Sequence, residues 1–280
     1  MSEQTALLDR YGLIGYPVAH SKSPIIHRLF ADQTDQSMTY ELFAAKPDDL
    51  ESTVRSFQRN GGRGLNITVP HKANVTRLVD EMSEEASIAG AVNTLVITPE
   101  KIVGHNTDGV GLIRDVQVNW KYALEGKRIL ILGAGGATQG VLGPLLEEQP
   151  EVLVIANRTV AKAQALADHF GMLGNVEAKR FGDIKSMPAF DLVINATSAG
   201  LKGEQAPFPP QAIEIGRTAC YDMSYGLGET PFNHWARAMD AIKVRSGWGM
   251  LIEQAAESFR LWRNVDPDTA KVLKQLPTEN

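Results

Sequence analysis

The 280 residues are 43% hydrophobic and 22% charged, with a formal net charge of −5. That length holds two modest domains, each able to bury its own core, and an acidic balance with no basic tail argues against nucleic acid as a partner while leaving small anions open. The single cysteine, Cys220, excludes an intramolecular disulfide; no Cys/His spacing suggests a metal, the start lacks the order of a signal peptide, and no apolar run nears the ~20 residues of a spanning helix, so the expectation is a soluble cytoplasmic protein without membrane contact.

In chain order, apolar bursts alternate with amphipathic stretches, the pattern of an α/β protein. Leu13–Gly15 reads as a short strand, and Ser23-Pro24 as a helix start with serine at the cap and proline at the first helical position. Tyr40 to Ala44 and Gly64 to Val69 read as strands, and Ala91 to Thr98 with Lys101 to His105 as a hairpin. Asn106-Thr107-Asp108 is a polar cap ahead of another helix. From Lys127 a regular strand–helix series follows, with strands at Arg128 to Leu132, Val152 to Ala156, Asp191 to Ala196 and Thr218 to Met223. The first three are nearly continuous apolar runs, as parallel strands covered on both faces require; the last is mixed. Gly247-Trp248-Gly249 closes the series, and Met250 to Trp262 is a long amphipathic helix. The expected division is an N-terminal α/β domain of residues 1–107 joined by 247–280, and a Rossmann-type domain of residues 108–246.

The strand Arg128 to Leu132 runs directly into Gly133, Ala134, Gly135, Gly136, Ala137 and Thr138. A buried strand, a glycine turn and a helix form the setting of a dinucleotide site: Gly133 permits the turn, Gly135 admits a pyrophosphate, and the helix start offers amide donors. Thr138 departs from the usual Gly or Ala. The next strand ends at Asn157-Arg158-Thr159, where an NAD site would place a carboxylate for the ribose hydroxyl. Arg158 can instead grip a 2′-phosphate with its fork, helped by the Thr159 hydroxyl and by Lys162 a turn later, so NADP is expected over NAD. The loops Asn195 to Gly200 and Tyr221 to Tyr225 follow strands of the same sheet and face the same crevice, although either alone reads equally as an ordinary polar connection.

The first domain carries a second constellation. Ser21 and Ser23 put two hydroxyls at a helix start, which suits a carboxylate and equally suits a turn and a cap. Alternation sets Asn66 and Thr68 on one face of a strand, and Lys72 follows just past its end. Asn93 and Asp108 lie in further polar segments. Reducing a carbonyl needs hydride at carbon and a proton for oxygen; a lysine steered by a carboxylate can supply the proton, which singles out Lys72 and Asp108. Each alone reads as a solvated lysine or a helix-capping aspartate. His20, His27 and His71 are assigned turn, helix-face and loop roles.

The segments Gly15 to Pro24, Gly64 to Lys72, Gly90 to Thr94, Asn106 to Gly111, Gly133 to Thr138, Asn157 to Thr159, Asn195 to Gly200, Tyr221 to Tyr225 and Gly247 to Gln254, in that order, resemble the shikimate dehydrogenase family. The resemblance implies reversible NADPH-dependent reduction of 3-dehydroshikimate to shikimate. It implies that Ser21 and Ser23 hold the substrate carboxylate, and that Thr68, Lys72, Asn93, Asp108 and Gln254 surround the ring hydroxyls and the reacting oxygen. Lys72 would be the acid/base with Asp108 as partner, and Tyr225 would complete the wall; Asn66 joins the substrate side less directly. On the cofactor side it implies Gly133 to Ala137, Asn157 to Lys162, Thr197, Met223 and Gly247, with Glu84 as a weaker member. Trp248 stands where the family is usually smaller, and Lys162 where an arginine is common. Two alternatives stand beside this reading: a quinate/shikimate dehydrogenase of broader specificity, and a non-catalytic NADP-binding sensor, which retention of Lys72 and Asp108 disfavours. Relatives occur as monomers and homodimers, and nothing in the sequence separates the two.

Overall fold

The computed structural model describes residues 8–197, 208–226 and 228–276. The chain divides into two compact units, Met1–Thr107 with Gln254–Val272 and Asp108–Glu253 with Leu273–Asn280. Each unit is α/β and built around its own six-stranded sheet.

The first unit contains β1 (Asp9–Gly15), α1 (Ser23–Gln33), β2 (Met38–Ala44), α2 (Leu50–Arg59), β3 (Gly62–Ile67), β4 (Glu81–Met82), α3 (Glu84–Ala89), β5 (Thr94–Ile97) and β6 (Ile102–His105). Its sheet runs β2-β1-β3-β5-β6-β4. β1 is parallel to β2 and β3, and β5 is antiparallel to β3 and β6, so the carboxyl ends of β1 and β3 and the start of β5 share one edge of the sheet. α2 turns Leu50, Val54 and Phe57 inward at helical spacing, onto Ile14, Leu65, Ile67 and Leu95. Burial of each such side chain contributes about 1.5–3 kcal/mol.

The expected cap at the start of α1 is corrected. Ser23 is already the first helical residue, Pro24 is the second, and the capping position is Lys22, whose side chain makes no capping bond. The reason is Ser21, whose Oγ accepts the Ser23 backbone N–H at 3.2 Å and satisfies an orphan donor from two residues earlier.

The second unit contains α4 (Asp108–Arg114), β7 (Arg128–Leu132), α5 (Gly136–Glu147), β8 (Val152–Ala156), α6 (Val160–Phe170), β9 (Val176–Lys179), β10 (Leu192–Asn195), β11 (Ala219–Asp222), α7 (Pro231–Ala238) and β12 (Lys243–Ser246). Its all-parallel sheet has the order β12-β11-β10-β7-β8-β9, a Rossmann-type arrangement in which the order reverses between β7 and β10. A crevice opens at the carboxyl ends there. β7, β8 and β10 are buried nearly throughout, as their apolar runs require. β9 and β12, absent from the sequence reading, are short edge strands.

The chain continues into α8 (Trp248–Arg263) and α9 (Thr269–Gln275). Residues 248–253 of α8 belong to the second unit, where Asn119 Nδ2 donates to Glu253 Oε1 at 2.9 Å. From Gln254 onward α8 belongs to the first unit, and Trp262 Nε1 donates to the Leu95 carbonyl at 2.9 Å. Among the described residues, no helix is long and apolar enough to cross a membrane.

His27 on α1 is fully buried rather than lodged on a helix surface. Its ring stacks on Tyr40 at 4.2 Å between centroids and lies 5.3 Å from Trp262 and 5.9 Å from Phe30. Neither ring nitrogen finds a hydrogen-bond partner among the described residues. Burial pushes the imidazole pKa down from 6.5 to about 3, opposed by the neighbouring Asn66 side chain. The folded-state pKa is therefore below the unfolded one, and the unfolded chain binds the extra proton between them. Stability is unaffected above the unfolded value, falls as pH drops below it, and stops falling below about 3. Near pH 4.5 the loss amounts to about 2.5 kcal/mol. Urea midpoints measured across this range should fall for the wild type and much less for His27→Leu; parallel curves would remove His27 as the acid-sensitive group.

Candidate active site

In the first unit, the sheet edge that gathers the ends of β1 and β3 also gathers the polar residues. After β1 the chain turns through Ser21 and Ser23, whose hydroxyls lie 3.2 Å apart, and Ser23 is buried. After β3 the backbone stays tied to β1: Thr68 N–H donates to the Ile14 carbonyl at 2.9 Å, and Tyr16 N–H to Val69 at 3.0 Å. The Thr68 methyl fills the place a Cβ on Gly15 would take, coming within 2.4 Å of it. His71 is fully buried rather than a loop polar residue, and its Nε2 pairs with the Ala45 carbonyl at 2.8 Å. That bond anchors the turn from which the half-buried Lys72 projects, and Lys72's own carbonyl accepts Val92 N–H at 2.8 Å.

Asn93 is the centre of a buried polar network. Its Oδ1 accepts Thr107 N–H at 2.8 Å, and its Nδ2 donates to Thr107 Oγ1 at 2.9 Å and to Gln254 Oε1 at 3.3 Å. Asn66 lies beneath: its Nδ2 donates to Ser258 Oγ at 2.9 Å and Thr94 Oγ1 at 3.1 Å, while its Oδ1 accepts Tyr40 Oη–H at 2.7 Å. The Asn66 amide is thus engaged on both sides by the protein, and it braces Asn93 and α8. Thr94, Thr107 and Ser258 were missed from sequence. Ser258 could have been found, since it follows Gln254 by one helical turn and so shares its face. Glu84 is exposed at the start of α3, where Ser83 accepts Ala86 N–H.

In the second unit Asp108 opens α4 and is buried. The turn after β7 has the geometry of a phosphate cradle. Gly133 has φ +108°, which only glycine adopts without strain, and Gly135 caps α5 with no side-chain bond. A Cβ on Gly135 or Gly136 would meet no atom within 4 Å, so the chain leaves open the space in front of the first-turn amides, Ala137 among them. Thr138 is accommodated because its fully buried hydroxyl donates to the Gly133 carbonyl at 2.9 Å.

At the end of β8, Asn157 Nδ2 donates to the Thr159 carbonyl at 2.8 Å and locks the turn, and Arg158, Thr159 and Lys162 are exposed around the α6 start. The residues present therefore fit a dinucleotide bearing a 2′-phosphate: open glycine turn, helix amides, and cations without an acidic residue at the strand end. Thr197, at the end of β10, and Met223, after β11, are half-buried, and buried Gly247 donates its N–H to the Ser224 carbonyl at 2.9 Å. Ser198 to Gly200 lie outside the described residues. Trp248 is accommodated, with its indole buried 5.1 Å from the Tyr225 ring and its Nε1 donating to the Gly226 carbonyl at 3.1 Å. Cys220 is a fully buried thiol whose pKa burial pushes up to about 12, so it is not a nucleophile.

Three family models match the chain: the shikimate dehydrogenase substrate binding domain over residues 13–95, shikimate / quinate 5-dehydrogenase over 116–202, and the shikimate 5′-dehydrogenase C-terminal domain over 247–276. A curated relative from Alkalilimnicola ehrlichii, shikimate dehydrogenase (NADP(+)), is 50% identical over 273 residues, covering 98% of this chain and 100% of its own. Among solved structures, an Ael1 enzyme from Pseudomonas putida is 43% identical with a TM-score of 0.88, over 96% of this chain and 98% of that one. A shikimate 5-dehydrogenase from Thermus thermophilus, solved with NADP(H) and shikimate, is 31% identical with a TM-score of 0.84, over 95% and 98% of the two chains.

Proposed function

The chain belongs to the shikimate dehydrogenase family, NADP-dependent oxidoreductases, and on that premise we propose that it reduces 3-dehydroshikimate reversibly to shikimate in the cytoplasm. The first unit binds the substrate and the second binds NADP. The observation that carries this is the gathering of Ser21, Ser23, Thr68, Lys72 and Asn93 at one edge of one sheet, with Gln254 hydrogen-bonded into the group. Two hydroxyls and helix amides suit a carboxylate, the threonine and amides suit ring hydroxyls, and the lysine suits a reacting oxygen.

NADPH supplies the hydride when bound. Ser21 and Ser23 orient the acid, while Thr68, Asn93 and Gln254 fix the ring face, so the carbonyl is held for one approach. Lys72 gives its ammonium proton to the carbonyl oxygen and recovers it from the hydroxyl in the reverse direction, with Asp108 as the second catalytic group. Tyr225 is the remaining residue that the reading assigns to the substrate. Asn66 contributes by bracing Asn93, and Glu84 is a peripheral member of the cofactor side.

The test is turnover followed by nicotinamide absorbance, offering NADP or NAD with shikimate or quinate. The reading expects strong turnover only with NADP and shikimate. For Arg158→Ala it expects KM for NADP to rise about tenfold to a hundredfold, the value of a charged hydrogen bond, with KM for NAD unchanged. Comparable turnover on quinate, or an equal loss with both cofactors, would overturn the substrate or the Arg158 assignment respectively.

A further inference from the structure

The carboxyl ends of β10 and β11 meet at one buried carboxylate that the catalytic reading does not use. Asp222 is 1% exposed. Its Oδ1 accepts Asn195 Nδ2 at 3.0 Å and the Ser224 N–H at 3.0 Å, and its Oδ2 accepts Thr230 Oγ1 at 2.6 Å. Asn195, also 1% exposed, turns its own Oδ1 away to accept Thr197 N–H at 3.1 Å and Thr197 Oγ1–H at 2.7 Å. Thr230 caps α7, accepting Asn233 N–H at 3.1 Å.

The chain of bonds has a direction. A carboxylate only accepts, so Asn195 must present its NH2 to Asp222 and its oxygen to Thr197. The Thr197 hydroxyl proton is thereby drawn inward, and the Thr197 methyl stands 3.0 Å from the place of a Cβ on Gly133, against the glycine turn. The same Oδ1 that accepts Asn195 also accepts the Ser224 N–H, and the Ser224 carbonyl accepts the N–H of Gly247. One side chain thus orders the segments carrying Thr197, Met223 and Gly247.

We propose that Asp222 is a positioning residue for the dinucleotide: acting through Asn195 and Ser224, it sets the walls of the crevice that receive the nicotinamide half, without touching the cofactor. The inference rests on the cofactor reading above. It predicts that shape matters here more than charge. An asparagine at 222 can keep its oxygen toward Asn195 and Ser224 and turn its NH2 to Thr230, whose hydroxyl has a lone pair to accept it; an alanine leaves Asn195 and Ser224 unpaired.

The experiment compares wild type, Asp222→Ala, Asp222→Asn and Asn195→Ala. It reads NADPH binding by fluorescence titration, hydrogen exchange of residues 197 and 224 in the ligand-free protein, and KM for shikimate at saturating NADP. Asp222→Ala and Asn195→Ala should weaken NADPH binding about tenfold, and Asp222→Ala should also speed exchange at both amides. KM for shikimate should stay unchanged, and Asp222→Asn should recover binding to within about threefold. Asn195→Ala cuts the same chain from its far side and decides the matter if Asp222→Ala does not fold. Wild-type NADPH affinity in either alanine variant, or an Asp222→Asn as impaired as Asp222→Ala, overturns the inference. Failure of the wild type to bind NADPH would overturn the cofactor reading, and this one with it.

Discussion

Lys72→Ala is expected to lower kcat about 10²- to 10⁴-fold, the usual contribution of a positioned acid/base, while NADPH binds as in the wild type. The size of the effect follows from where Lys72 sits. Its turn is anchored by the buried His71–Ala45 contact and by the Val92 bond to the Lys72 carbonyl, so the ammonium is delivered from a fixed backbone. A neighbouring water can replace the proton but not its placement. Single-turnover rates in both directions should fall together, because the group that donates in reduction accepts in oxidation. A variant that raised only KM for the substrate would make Lys72 a binding residue and leave the proton donor to be found elsewhere.

The largest expected loss of stability lies in the second unit, at Arg245→Ala. Asp115 is fully buried in the helical turn just past α4, and Arg245 grips it with a fork, Nε to Oδ2 at 3.1 Å and Nη2 to Oδ1 at 2.5 Å. Tyr221 Oη donates to Oδ2 at 2.6 Å and Asn119 Nδ2 to Oδ1 at 3.1 Å. Burial, and next the Asp115 charge, hold the Tyr221 hydroxyl well above its ordinary pKa, so it remains a donor. Gly249 of α8 packs so closely that a Cβ there would come within 1.8 Å of the carboxylate. Removing the guanidinium strands a buried charge, which costs about 3–5 kcal/mol. Arg245→Lys should recover only part of this, since an ammonium cannot make the fork. Urea unfolding measures both. A loss below about 1 kcal/mol for Arg245→Ala would mean that Asp115 needs no counter-charge.

The Asp115 cluster also marks a limit of sequence reading. Asp115, Tyr221 and Arg245 lie in three separate elements, and each alone looks ordinary: an acid in a helix, an aromatic in a mixed strand, a cation near a chain of polar residues. β9 and β12 escaped for a related reason. Val176–Lys179 and Lys243–Ser246 are too short and too charged for a period to show, and they become strands because β8 and β11 offer an unpaired edge. At α1, Ser23 looked like a cap because composition marks a helix start only to within a residue or two, and the choice fell to the Ser21 hydroxyl.

What the sequence determined by itself was local. The apolar runs Arg128 to Leu132 and Val152 to Ala156 read as parallel strands covered on both faces, the glycines after the first as a tight turn, and Asn157-Arg158-Thr159 offered no acid to repel a phosphate. These features depend on neighbours a few residues apart, so they survive reading along a line. Tertiary structure alone decided which polar groups meet. Asn66 and Ser258 are 192 residues apart, and Asn93 and Gln254 are 161 apart, yet each pair is hydrogen-bonded. A buried amide or carboxylate is costly until every donor and acceptor is matched, and the match depends on distance in space, which no periodicity along the chain encodes.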